Sequence, residues 1–80
     1  MDERLRALIA EILDLPLARV RADIRRAETE TWDSLSHLRI ITAIEAEFGL
    51  AFTMEEIARF QTPADFQRCI DSRCRLRSNG

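Results

Sequence analysis

Between Asp33 and Gly49 the sequence marks both ends of one helix, and this stretch limits what the chain can become. Asp33 reads as an N-cap, because its carboxylate can accept a hydrogen bond from the orphan N–H groups of a first turn. Gly49 is a natural residue just past a helix end. Between them Ile41, Ile44 and Phe48 make an apolar stripe at i, i+3, i+7, with Ile40 at its border and His37 one turn earlier. Leu35, Leu38 and Thr42 lie on another face, close to Ser34. Ser34 takes the first helical position, its hydroxyl at the helix mouth. Such a serine is not itself reactive. It is a good attachment point, since an anion linked there faces the positive end of the helix dipole.

The rest of the chain repeats the helical period and nowhere alternates as a strand would. From Asp2 to about Asp14, Leu5, Leu8, Ile9 and Ile12 fall at helical spacing, and Pro16 marks the stop. A long connection follows to Trp32, with Leu17, Val20 and Ile24 spaced to pin it across the core. Trp32 packs its indole under that loop, or touches a bound group. Thr53 and Glu56 form a capping box that opens a short helix to about Phe60. There Ile57 and Phe60 point inward, and Met54 lines or fills a cavity. Thr62 as cap, Pro63 at the first position and Asp65 in the first turn start another helix. Its stripe is Phe66 and Ile70. The expected core is Leu5, Leu8, Ile9, Ile12, Val20, Ile24, Ile41, Ile44, Phe48, Phe52, Ile57, Phe60, Phe66 and Ile70. The fold class is all-α: a small four-helix bundle with a long first loop and a short third helix. Residues 1–73 form the domain, and residues 74–80 read as a frayed, arginine-rich tail.

Asp33-Ser34-Leu35 opening a helix that ends in Glu45-Ala46-Glu47-Phe48-Gly49 resembles the acyl carrier proteins. The likeness runs from about Leu5 to about Ile70. The form Trp32-Asp33-Ser34-Leu35-Ser36-His37-Leu38 is similar to specialised, stand-alone carriers. The resemblance implies a 4′-phosphopantetheine arm on Ser34, joined through a phosphodiester, that holds acyl groups as thioesters in specialised lipid or polyketide-type biosynthesis. An aminoacyl, D-alanyl or peptidyl carrier is the alternative within the class. The partners implied are a phosphopantetheinyl transferase, an acyl- or amino-acid-activating enzyme, and acyltransferases or synthases. They would meet Asp33, Leu35, Leu38, Arg39 and Glu45. Carriers commonly place acidic residues where this chain has Arg39 and Ala46, which implies a dedicated set of partners.

Other functions fit the residues less well. In a hydrolase reading, Ser34 and His37 share a helix side. But Asp33 adjoins Ser34 in sequence, whereas a triad acid must orient the far imidazole nitrogen. No glycine-rich turn supplies an oxyanion hole. The chain is therefore read as a carrier without catalysis of its own, and an unmodified helical interaction module is the distant alternative. Cys69 and Cys74 point apart on one helix, and with a single histidine they make no zinc site. Arg19, Arg21, Arg25 and Arg26 lack interleaved aromatics and have acidic neighbours, so nucleic acid is not the expected partner. Net charge is −2, and every one of the twelve basic residues is arginine. No apolar run approaches the roughly 20 residues that span a bilayer. Met1-Asp2-Glu3-Arg4 lacks a signal peptide's apolar core. A cytoplasmic monomer is the expectation.

Overall fold

The computed structural model describes the backbone of residues 1–79 and the side chains of residues 1–73. Four helices follow one another: α1 (Glu3–Leu13), α2 (Ser34–Phe48), α3 (Met54–Arg59) and α4 (Pro63–Asn79). No strand occurs among the described residues. The backbone of residues 74–79 continues α4. Fraying is the expectation for residues 74–80; the helical backbone runs to Asn79, and the side chains of 74–80, Cys74 included, lie outside the described residues.

Polar signals set the helix ends. Asp2 caps α1, its carboxylate accepting from the N–H groups of Arg4 and Leu5 at 2.7 and 3.3 Å. The helix stops at Asp14, which adopts the left-handed conformation (φ 55°), two residues before Pro16. Aspartate tolerates that region better than most residues do. The N–H of Leu15 then returns to the carbonyl of Ala10. Gly49 (φ 64°) ends α2 in the same manner, with the Leu50 N–H returning to Glu45. At the start of α4 the Thr62 hydroxyl accepts from the Asp65 N–H, and the Asp65 carboxylate accepts from the N–H groups of Gln61 and Thr62. Both partners of a capping box are present there.

The core is formed by Leu5, Ile9 and Leu13 of α1, Ile40, Ile41 and Ile44 of α2, Phe66 and Ile70 of α4, with Val20, Trp32, Phe52 and Phe60 from the connections. It differs from the expected list by a rotation of two helices. The inner line of α1 is 5/9/13 with Ala10, so Leu8 and Ile12 are only half-buried. The inner face of α2 is His37, Ile40, Ile41 and Ile44, which moves Phe48 to the flank beneath the Arg4 guanidinium. Ile24 and Ile57 are half-buried as well. Leu17, expected to pin the loop, is 44% exposed, and Met54, expected in a cavity, is 81% exposed. Each is the first residue of a helical turn.

The long connection contains two 3₁₀ turns, Leu17–Arg19 and Arg26–Glu28. Hydrogen bonds to its backbone fasten it alongside the buried Val20. Arg6 Nε donates to the Val20 carbonyl at 2.9 Å. The Arg26 N–H donates to the Gln61 carbonyl, and the Ala64 N–H, an orphan donor of the first turn of α4, donates to Ala22. The loop is thus tied to α1 on one side and to the start of α4 on the other. It then delivers Trp32 and Asp33 to the mouth of α2.

Candidate functional site

Asp33 sits just outside α2 in extended conformation (φ −88°, ψ −174°). Its carboxylate accepts from the Ser36 N–H at 2.8 Å, and its carbonyl accepts from the His37 N–H at 2.9 Å. Hydrogen bonds from the Ser36 backbone and side chain hold the Asp33 carboxyl below the usual carboxylate range. Ser34 follows as the first residue of α2, and it is exposed. The hydroxyl therefore stands in solvent at the positive end of a 15-residue helix.

Two large apolar side chains share the exposed surface beside it. Leu35 is 68% exposed and Leu38 54% exposed. Arg39 is exposed next to Leu38 and makes no ion pair among the described residues. Further along, the Thr42 hydroxyl donates back to the Leu38 carbonyl. Asp33, Ser34, Leu35, Leu38 and Arg39 thus lie together at the surface. Glu45 is also among the expected partner contacts. It is half-buried, and its carboxylate accepts from the Phe52 N–H at 2.9 Å, fastening the α2–α3 link.

His37 is buried one turn inside the helix mouth. Trp32 Nε1–H donates to its Nδ1 at 3.0 Å, and its Nε2 lies 2.8 Å from the Ile57 carbonyl. An indole N–H can only donate, so Nδ1 holds the lone pair and Nε2–H donates to Ile57. Burial, opposed by the Ile57 hydrogen bond and aided by Arg26, pushes the imidazole pKa below its ordinary value. With both nitrogens engaged inside the bundle, His37 cannot act as a base toward Ser34. Trp32 is buried too, stacked on Phe66 with ring centroids 6.0 Å apart. Its indole faces the core, not the surface that carries Ser34. A single tryptophan and a single histidine five residues apart were visible in the sequence; the carbonyl that completes the chain was not.

A second polar group links α3 to α4. Glu56 closes the α3 capping box by accepting from the Thr53 N–H at 2.9 Å. The same carboxylate accepts from Arg73 and from the Cys69 thiol, and Arg73 also reaches Cys69 Sγ. The Thr53 N–H and Arg73 hold the Glu56 carboxyl down at about 2. Burial and the neighbouring carboxylate raise the Cys69 thiol.

An anionic group joined to an exposed serine at this helix mouth would meet backbone dipoles of matching sign, so the residues present fit a phosphate-linked arm. No helix among the described residues is long and apolar enough to cross a membrane. A comparison with protein-family models matches residues 3–70 to the phosphopantetheine attachment site. Helices α1, α2 and α3, the loop that delivers Asp33 and the first half of α4 fall within that match. The chain therefore belongs to the phosphopantetheine-attachment family, the carrier domains of acyl carrier type that bear a covalent 4′-phosphopantetheine.

Proposed function

We propose that Ser34 is the attachment residue and that the chain is an acyl carrier serving a dedicated set of biosynthetic enzymes. The observation that carries this reading is the placement of an exposed hydroxyl at the first position of α2, directly after the Asp33 cap. In the transfer step Ser34 Oγ attacks the pantetheine-side phosphorus of coenzyme A, the pyrophosphate P–O bond breaks, adenosine 3′,5′-bisphosphate leaves, and the hydroxyl proton passes to the transferase. The helix mouth then faces the phosphodiester with its N–H dipoles. The arm's terminal thiol supplies the thioester link. The protein contributes attachment and recognition, while the chemistry belongs to the bound group and to partner enzymes.

Leu35, Leu38 and Arg39, with Asp33, form the surface that a partner would meet around the arm. Two exposed leucines give apolar contact, and Arg39 gives a charge that selects among partners. The cargo is an acyl group of specialised lipid or polyketide-type biosynthesis. The chain works as a monomer in the cytoplasm.

The test is intact mass. Coexpression with a phosphopantetheinyl transferase should add one phosphopantetheinyl group to wild type and none to Ser34→Ala. An Ala variant that still gains the group would remove Ser34 from this role. Offering the modified chain to acyl-activating and to amino-acid-activating enzymes, and weighing the product, separates acyl from aminoacyl carriage.

A further inference from the structure

The residue ahead of the α2 cap makes a contact that changes character with a single proton. Trp32 is the residue before Asp33, and among the described residues its side chain is hydrogen-bonded to His37 Nδ1 alone. Its backbone N–H donates to the Thr29 carbonyl at 2.9 Å, and the Thr29 hydroxyl donates to Arg25, so the indole is the end of a short strung segment. On the other side of the imidazole, Nε2–H holds the Ile57 carbonyl of α3. We propose that the Trp32–His37 hydrogen bond is a proton-sensitive pin, in which neutral His37 positions Trp32 just ahead of the Asp33 cap, and protonation of Nδ1 loosens Trp32 there.

The asymmetry of the two bonds gives the proposal its direction. Nε2 already carries the ring proton, so a second proton can enter only at Nδ1. Two N–H groups would then face each other across 3.0 Å, and neither can accept. The bond to Ile57 keeps its sense and becomes charge-assisted. Acid therefore loosens the hold on the Trp32 indole, which keeps its packing on Phe66, while α3 stays attached to α2. The groups that face the ring are the indole from the loop, the neutral Ile57 carbonyl from α3, the Phe66 ring from α4 and the charge of Arg26 from the second 3₁₀ turn. Burial and Arg26 both favour the neutral ring, which keeps the pin closed at neutral pH and sets its opening below the ordinary value of 6.5. His37 acts through Trp32, as a positioning residue. The importance of the pin for carriage rests on Ser34 being the attachment residue; the pin itself does not.

The unmodified chain suffices for the test. Trp32 is the only tryptophan, so intrinsic fluorescence reports on it directly. The chain is titrated from about pH 7.5 to about pH 5, the span in which imidazoles change charge. Imidazole nitrogen NMR and amide hydrogen exchange are followed in parallel. At neutral pH the proton should reside on Nε2. On acidification, Trp32 emission and protection of the Trp32 amide should change with the same midpoint as His37, below 6.5, while α1 and α3 amides hold. His37→Gln retains a donor for Ile57 and cannot titrate, so its Trp32 emission should stay flat. Trp32→Phe keeps a ring on Phe66 but removes the donor to Nδ1, so the His37 midpoint should rise. That variant decides the matter if His37→Gln does not fold. A proton on Nδ1 at neutral pH, an imidazole that stays neutral throughout, a titration that leaves Trp32 silent, or loop and α1 amides opening together would each overturn the pin. None of these readouts needs the arm. A chain modified elsewhere than Ser34 would leave the pin standing, and a silent Trp32 in a chain modified at Ser34 would remove the pin alone.

Discussion

Asp33 does two things that substitution can separate. Its carboxylate oxygen caps α2 through the Ser36 N–H, and its charge stands beside Ser34 at the surface. Asparagine keeps an acceptor for the cap and removes the charge; alanine removes both. Asp33→Asn should therefore melt close to wild type yet take its arm more slowly, whereas Asp33→Ala should lose melting temperature as well. Equal modification rates for Asp33→Asn and wild type would show that the transferase does not read the charge. Glu56 gives a different kind of residue-scale prediction, in pH. Its carboxyl is lowered from 4.5 to about 2, so folding favours its ionised form. The stability it contributes is present above pH 4.5 and is lost as pH falls toward 2. The group is partly solvated, so screening keeps that contribution modest. In an acid melt series, Glu56→Gln should show a shallower loss over this range than wild type. Parallel curves would mean that the Arg73 and Thr53 contacts do not discriminate between the charged and neutral acid.

Among the elements, α3 depends most on polar ties. None of its six residues is fully buried, and it is held by its capping box, by Arg73 and Cys69 from α4, and by His37 from α2. Thr53→Ala should cost about 1 kcal/mol, the usual worth of such a cap. Hydrogen exchange should place that loss in α3 amides first, with α1 amides unchanged; uniform loss would mean that α3 does not open on its own. The capping box was legible because its partners are three residues apart and chemically distinctive. The Glu56–Arg73 and His37–Ile57 ties were not, because they join residues seventeen and twenty positions apart, and one of them ends on a backbone carbonyl that carries no residue signature. The same limit explains the helix faces. Periodicity showed that α1 and α2 have apolar sides, but Leu8 or Leu13, and Phe48 or Ile40, satisfy the period almost equally. Which of each pair goes inward is decided by the neighbour it meets.

At the scale of the molecule, the two sides of α2 divide the work. The inner side closes the core through Ile40, Ile41 and Ile44, and the outer side exposes Leu35, Leu38 and Arg39 next to Ser34. That division was readable from two apolar sets on one helix. The inward turn of Glu45 toward Phe52 was not, since it depends on where the chain goes after Gly49. It leaves Arg39, with Asp33 at the helix mouth, as the charges beside the exposed leucines. A basic enzyme surface suited to acidic carriers would meet like charge here, and such repulsion discriminates between partners. Rim charges act mainly on association rate and on its salt dependence. Arg39→Glu should therefore speed acyl loading by a general fatty-acid-type enzyme, most at low ionic strength, where the Debye length exceeds about 10 Å. Leu38→Ala removes apolar contact that salt does not screen, so it should slow loading by the dedicated partner by a similar factor at every salt concentration. Loading kinetics across an ionic-strength series measure both. If Arg39→Glu gains nothing at low salt, the arginine does not face the docking enzyme, and partner choice must be set by the leucines and the arm.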